Sequence, residues 1–313
     1  VALIYAAHGT LDIRLLADAP LDDNATLIAA GLLTAGLAAK TALFPFHAWL
    51  PPAHAGAPPP ASAMLSALVP KASFYVLLRV WFDAMPGLAG PAALQLLGAL
   101  GAAAIVYGSI LAVRQDRLKL LVAYSTVAQI GYLFLVFPLA GGTPEPQPWT
   151  AGAWSGAVFH AVSHAFAKAA MFLAVGHVVQ AAGHDRLSAM QGLSRRMPMT
   201  AFAFALAAVT LMGLPPSGGF MAKYLLLTAA FASGQTVWAI IIVLGGVLAA
   251  AYLFRPLARA FLPERGHHGT VPRRQQALPL ALAALSIVLG IVAATPYAFL
   301  QVGRPEAAAE GLQ

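Results

Sequence analysis

Eight apolar runs follow one another along this chain, and four of them carry a lysine with no carboxylate at the same depth. The runs lie at 24–47, 61–82, 91–113, 118–138, 152–181, 198–231, 236–261 and 277–301. About 20 helical residues cross a bilayer core, so each run is long enough to span one. The lysines are Lys40, Lys71, Lys168 and Lys223. An ammonium near the bilayer centre costs roughly 2.5 to 10 kcal/mol, so a lysine kept there tends to titrate or to line a water-filled path.

Composition narrows the class. Only 9% of residues are charged and 60% are hydrophobic, against about 25% charged in a soluble domain. A transmembrane β-barrel would show alternating segments of about ten residues, and none is present. The expected fold is therefore all-α: a single polytopic membrane domain over 1–313 with about eight transmembrane helices. The net charge of +7 sits in short loops between apolar runs, as membrane orientation requires, and forms no nucleic-acid surface. With zero cysteines there are no disulfides, thiolate metal sites or cysteine-ligated iron–sulfur clusters. Val1–His8 has neither a basic leader nor a cleavage site. The chain opens without Met at the tail of an apolar run, and it reads as a piece of a longer protein.

Loop charges test the eight-span reading. If 24–47 runs inward, the loops at 114–119, 182–197 and 255–276 share one side. These loops and their flanks hold Arg114, Arg117, Lys119, Arg186, Arg195, Arg196, Arg255, Arg259, Arg265, Arg273 and Arg274. The opposite side holds Arg14, Arg79 and Arg304. That asymmetry agrees with the eight-span topology and puts both ends of this chain on the outer side. The expected location is a bacterial inner membrane.

Two runs carry helix breakers beside a lysine. LFPFHAWLPPAHAGAPPPAS, with Pro45, follows Lys40; LMGLPPSGGF, with Pro215, Pro216, Gly218 and Gly219, precedes Lys223. Lipid cannot satisfy backbone groups freed by such breaks, so they survive inside protein or along a hydrated cavity. Paired broken helices with nearby charges point to an inverted-repeat transporter with its path at mid-membrane. For Pro51 to Pro60 an ordinary helix end at a loop is the better reading. At the second break an apolar helix resumes at once. Lys71 reads as mid-helix, level with the middle of its run.

His160, His164 and Lys168 are spaced i, i+4, i+8, covering about 80° of helix circumference. One polar stripe on an apolar helix suits a proton relay through bridging waters; packing hydrogen bonds to neighbouring helices are the alternative. Spacing of i, i+4 also suits a metal, but no third ligand is near. Tyr124, Ser125 and Gln129 add polar groups that would extend a hydrated path or pack helices. His54 stands where a proton would reach the path. No GxGxxG, P-loop or nucleophile–His–Asp set is present, so no catalytic site of its own is expected.

As a set, KTALFPFHAWLPPAHAGAPPPASAMLSALVPK, RLKLLVAYSTVAQIGYLF, HAVSHAFAKAAMFLAVG and LMGLPPSGGFMAKYLLL resemble the proton-pumping antiporter-like subunits of respiratory complex I. That family also includes Mrp-type sodium/proton antiporter subunits and membrane subunits of energy-converting hydrogenases. The resemblance implies an inverted-repeat fold whose first repeat is incomplete here. Residues 24–82 would be the remnant of a first conduction unit, 91–261 a second, and 277–301 a final helix. It implies a hydrated proton path through Lys40, Lys71, His160, His164, Lys168 and Lys223. The family's membrane glutamate that partners Lys40 has no counterpart in this chain. NADH, FMN, iron–sulfur clusters and quinone would reside on partner subunits. The other partners implied are further membrane subunits, the lipid bilayer, and protons or Na+. A non-conducting membrane scaffold is the reading from a different class.

Overall fold

The computed structural model describes residues 1–19, 24–88, 90–141, 147–264 and 269–293. Arg265, His267, His268, Arg304 and the end of the 277–301 run lie outside the described residues. Seven helices among the described residues are long and apolar enough to cross a membrane. The run expected at 198–231 is divided into two helices of 15 residues.

Two short helices, α1 (Ala2–His8) and α2 (Ile13–Ala17), precede the first span. That span is α3 (Asn24–Thr41) continued, after a break, by α4 (Leu50–Gly56). The break falls at 42–45, where Ala42 adopts φ 60 and Pro45 has no N–H to offer Thr41. Pro51 and Pro52 lie in the first turn of α4, where their missing N–H groups cost nothing. The second span is α5 (Pro59–Ala67) followed by α6 (Val69–Arg79). Leu68 separates them, an interruption that the apolar pattern of 61–82 conceals. Lys71 therefore lies in a first turn beside a break, not at the middle of a continuous helix.

Helices α7 (Pro91–Arg114) and α8 (Leu118–Phe134) form a tight hairpin. A Cβ at Gly101 would stand 2.7 Å from the Gly131 carbonyl, and one at Gly108 2.6 Å from the Ala128 nitrogen. Only glycine lets these backbones approach so closely. After α9 (Val136–Ala140) comes the 35-residue α10 (Pro148–Ala182), about 52 Å long at 1.5 Å per residue. It packs against α5, α8, α12 (Pro198–Met212), α13 (Gly218–Ala232) and α15 (Arg273–Ile291), with the short α11 (Leu193–Arg196) between α10 and α12. The bundle is completed by α14 (Thr236–Ala260) against α7 and α12. Helix α8 is almost wholly buried, so its Ser, Thr, Gln and Tyr side chains face protein rather than lipid.

Three loops assigned to one side by their charge are stitched together at one end of the bundle. Arg117 pairs with Asp185 at 3.0 Å and Arg255 with Asp116 at 3.3 Å. The Leu118 and Leu187 amides donate to the Asp185 and Asp116 carbonyls, at 2.6 and 2.8 Å. Arg196 pairs with Glu264 and donates to the Gly269 carbonyl. The geometry thus groups the basic loops on a single face.

Candidate functional site

Lys223 sits on α13 just past the second break and is 7% exposed. In a continuous helix the carbonyls of Leu211 and Met212 would accept from residues 215 and 216. Both are proline and have no N–H. The Lys223 ammonium takes these two carbonyls instead, at 2.9 and 3.1 Å. They also form the negative end of the α12 dipole, which favours a cation. The face of Tyr132 lies 4.3 Å from Nζ and adds a cation–π contact. Gly219 brings α13 against the Thr210 carbonyl, leaving no room for a Cβ.

Lys71 repeats the device. The Ser66 carbonyl would accept from residue 70, which is proline, and the Lys71 ammonium donates to it. Ser66 Oγ in turn meets Thr126 Oγ1 of α8 at 3.0 Å.

Lys168 is held differently. It is fully buried on the unbroken α10 and donates to the Val122 carbonyl at 2.9 Å and to the Ser125 hydroxyl. Ser125 Oγ also donates to Val122 at 2.8 Å. Buried Lys168 and Lys223, and partly buried Lys71, thus rest on neutral oxygens. Every ion pair among the described residues joins an arginine to a carboxylate, and none includes these lysines.

The His160–His164–Lys168 stripe is a buried column on α10. The two histidine rings stack at 5.6 Å with 12° between planes. His160 donates from Nε2 to the Gln129 carbonyl at 3.1 Å, which leaves Nδ1 as the acceptor. Gln129 Nε2 donates to the Leu211 carbonyl at 3.0 Å, the oxygen that also holds Lys223, and to Tyr252 Oη at 3.3 Å. Gln129 therefore bridges the stripe and the second break. His160 Nδ1, both ring nitrogens of His164 and Gln129 Oε1 are buried with no protein partner among the described residues.

Of the residues singled out from sequence, Lys71, His160, His164, Lys168, Lys223, Ser125 and Gln129 come together. His54 joins them: it is fully buried and stacks on Phe172 at 4.4 Å. Tyr124 is half-buried and packs against the core between α8, α10, α12 and α14. Lys40 is exposed on α3, away from this column. Two residues escaped the sequence reading. Tyr132 and Tyr252 look like core aromatics by pattern, and only their proximity to Lys223 and Gln129 sets them apart.

Broken helices around a buried, carboxylate-free series of cations place this chain among the antiporter-like polytopic membrane proteins. Over residues 1–249 it matches the family described as NADH:quinone oxidoreductase/Mrp antiporter, TM, and the chain belongs to that family. It is 36% identical over 305 residues to NADH-quinone oxidoreductase subunit N of Desulforudis audaxviator, covering 93% of this chain and 59% of that protein. The chain therefore spans about 59% of the length of such curated relatives. Among solved structures, it resembles a chain of the Mrp complex from Dietzia sp., with TM-score 0.85 and 25% identity over 99% of this chain and 65% of that one. A chain of respiratory complex I from Thermus thermophilus with bound aureothin gives TM-score 0.75 and 29% identity over 96% and 64%.

Proposed function

We propose that this chain forms part of a proton-translocating membrane subunit of a complex I-like NADH:quinone oxidoreductase. Protons move from Lys71 through His164, His160 and Lys168 to Lys223, along a hydrated axis at mid-membrane. The observation that carries the reading is the set of buried histidine nitrogens without protein partners, lying between lysines that form no ion pair among the described residues. Buried polar atoms of this kind are satisfied by water, and water between titratable side chains carries protons. Neutral carbonyls suit a lysine that changes charge state. A fixed carboxylate would hold the ammonium charged, whereas a carbonyl accepts from either form.

The same nitrogens weigh against a non-conducting scaffold, in which the lysines would be dry and paired to a partner's acids. An Mrp-type cation/proton antiporter is the second reading, favoured by the close superposition on the Mrp chain. The chain lies in a bacterial inner membrane, with the stitched basic loops on the cytoplasmic side and both its ends on the outer side. NADH, FMN, iron–sulfur clusters and quinone belong to partner subunits.

Purification of the full-length protein with its native partners separates the two ion-transport readings. Hydrophilic redox subunits in the complex support the oxidoreductase, and small membrane subunits alone support the antiporter. Proton flux in reconstituted vesicles then tests the axis itself.

A further inference from the structure

Between the end of α12 and the flanks of α13 and α14 lies a cavity of about 540 Å³. Its walls are apolar, and among the described residues lining it Lys223 is the one charged group. That volume, with one polar anchor in an apolar wall, suits a single small molecule. The buried residues Met212, Ile242 and Lys223 form the floor. Two glycines leave it open: Gly213 ends α12 at φ 82, and a Cβ on Gly246 of α14 would stand 3.5 Å from the Met212 carbonyl.

The mouth opens outward between α13 and α14, where Tyr224, Val243, Val247 and Phe254 are at least half exposed. Val243 and Phe254 stand about 10 and 9 Å inside the two ends of α14, at 1.5 Å per residue. Since α14 is long and apolar enough to cross the membrane, the mouth faces the hydrocarbon core. The Leu211 and Met212 carbonyls take two of the three N–H groups of the Lys223 ammonium. The third meets no oxygen among the described residues.

We propose that this cavity binds a long-chain fatty acid, with its carboxylate against Lys223 and its alkyl chain along α13 and α14. Charge and depth select that occupant. A cation at the floor of an apolar pocket is complemented by an anion on an apolar chain. A phospholipid keeps its phosphate in the interfacial region, outside the hydrocarbon core where this mouth lies. A fatty acid enters the core in its neutral form, without the cost of a buried charge. Meeting the neutral amine, it gives up its carboxyl proton to Nζ: one O–H bond breaks, one N–H bond forms, and the pair stays neutral overall. The carboxylate then holds the ammonium charged. Inhibition of proton flux by the bound acid rests on the proposed axis, whereas binding itself does not.

The test uses the full-length protein in its native complex, purified in detergent. The probe is a C16 fatty acid with a diazirine near the chain end, and labelled residues are located by peptide mapping. Labelling is expected on the α13 and α14 residues of the cavity, with oleate competing. Methyl oleate, which lacks the carboxylate, should need about 10-fold more to compete, as the loss of a charged hydrogen bond predicts. Val247→Trp fills the mouth from an exposed position and should lower labelling about 10-fold with assembly retained. In vesicles, oleate should lower flux through the wild type and spare Val247→Trp, while any protons carried by the free acid are common to both.

Equal competition by oleate and methyl oleate overturns the carboxylate anchor. Labelling that maps elsewhere, or that Val247→Trp leaves unchanged, overturns the site. A native complex that takes no label overturns it too, and marks this face as covered by a partner helix. If Val247→Trp fails to assemble, the competition on the wild type decides. Competed labelling of the cavity with flux untouched keeps the site and removes Lys223 from the axis.

Discussion

The two breaks flagged by a lysine and a proline are built from similar residues and end in different environments. At the second, Pro215 and Pro216 free two carbonyls, and Lys223 occupies both under the ring of Tyr132. At the first, Pro45 frees the Thr41 carbonyl, but Lys40 lies on the exposed side of α3 and does not reach into the bundle. Around the second break α10, α12, α13 and α15 close on one another. Helix α3 packs chiefly on α6, with much of its surface open. A breaker beside a charge therefore marks a place where a charge can be held. Whether it is held depends on how many helices surround the break.

Lys71 sharpens the lesson. It has the same dock as Lys223, a carbonyl freed by a proline four residues on, although its surrounding sequence looks like an uninterrupted helix. Lys168 shows the other solution, a hydroxyl and a carbonyl of an intact helix on the neighbouring α8.

The largest effect is expected at the buried break. Lys223→Ala in the full-length protein should lower proton flux on the order of 10²-fold while assembly is retained. Alanine favours the helix and removes a costly charge from the membrane. Normal flux through a correctly assembled variant would take Lys223 off the path.

The stripe leading to that break should respond more gently. His164→Gln is expected to reduce flux by less than about tenfold, because bridging waters bypass one titratable member, and adding Lys168→Ala should deepen the loss sharply. If the stripe serves packing alone, flux stays near wild type. An apolar residue at His160 then lowers stability by about 0.6 kcal/mol for its lost interhelical hydrogen bond. Flux and thermal stability measured on the same samples tell the two apart.

Restoring N–H groups at the breaks tests the carbonyl docks directly. With Pro215→Ala and Pro216→Ala together, the new amides compete with Lys223 for the Leu211 and Met212 carbonyls. Flux should fall about 5-fold, since a net hydrogen bond is worth only about 1 kcal/mol. Pro45→Ala should change flux by less than about 2-fold on the same scale, because no lysine uses the Thr41 carbonyl. Equal effects at the two sites would erase the contrast between the breaks.

The smallest effects concern packing. Gly219→Ala forces a methyl into the Thr210 carbonyl and should cost about 1–3 kcal/mol of stability. Gly56→Ala, at the end of α4 with open space around it, should stay within about 0.5 kcal/mol. Thermal unfolding in detergent measures both.

Much of this was readable from residues because the membrane imposes one strong rule: backbone must be paired and charge is expensive. Run length and loop charge yield the spans and the common face of the basic loops. The i, i+4, i+8 spacing aligns His160, His164 and Lys168 on one face of α10 before any neighbour is known. The interruption at Leu68 was not legible, since one proline in the first turn of α6 looks like any helix start. Nor was the role of Tyr132, whose phenol reaches the Ile242 carbonyl only because Gly245 leaves it space.

By itself, then, the sequence determined the membrane class and the titratable residues, which follow from local composition and period, while its motifs carry the likeness to the family. Only the tertiary structure decided which lysines are enclosed. Enclosure depends on helices far apart in the chain meeting around a break. It seats Lys223 on α12 and Tyr132, Lys71 on Ser66 and Lys168 on α8, and leaves Lys40 at the surface.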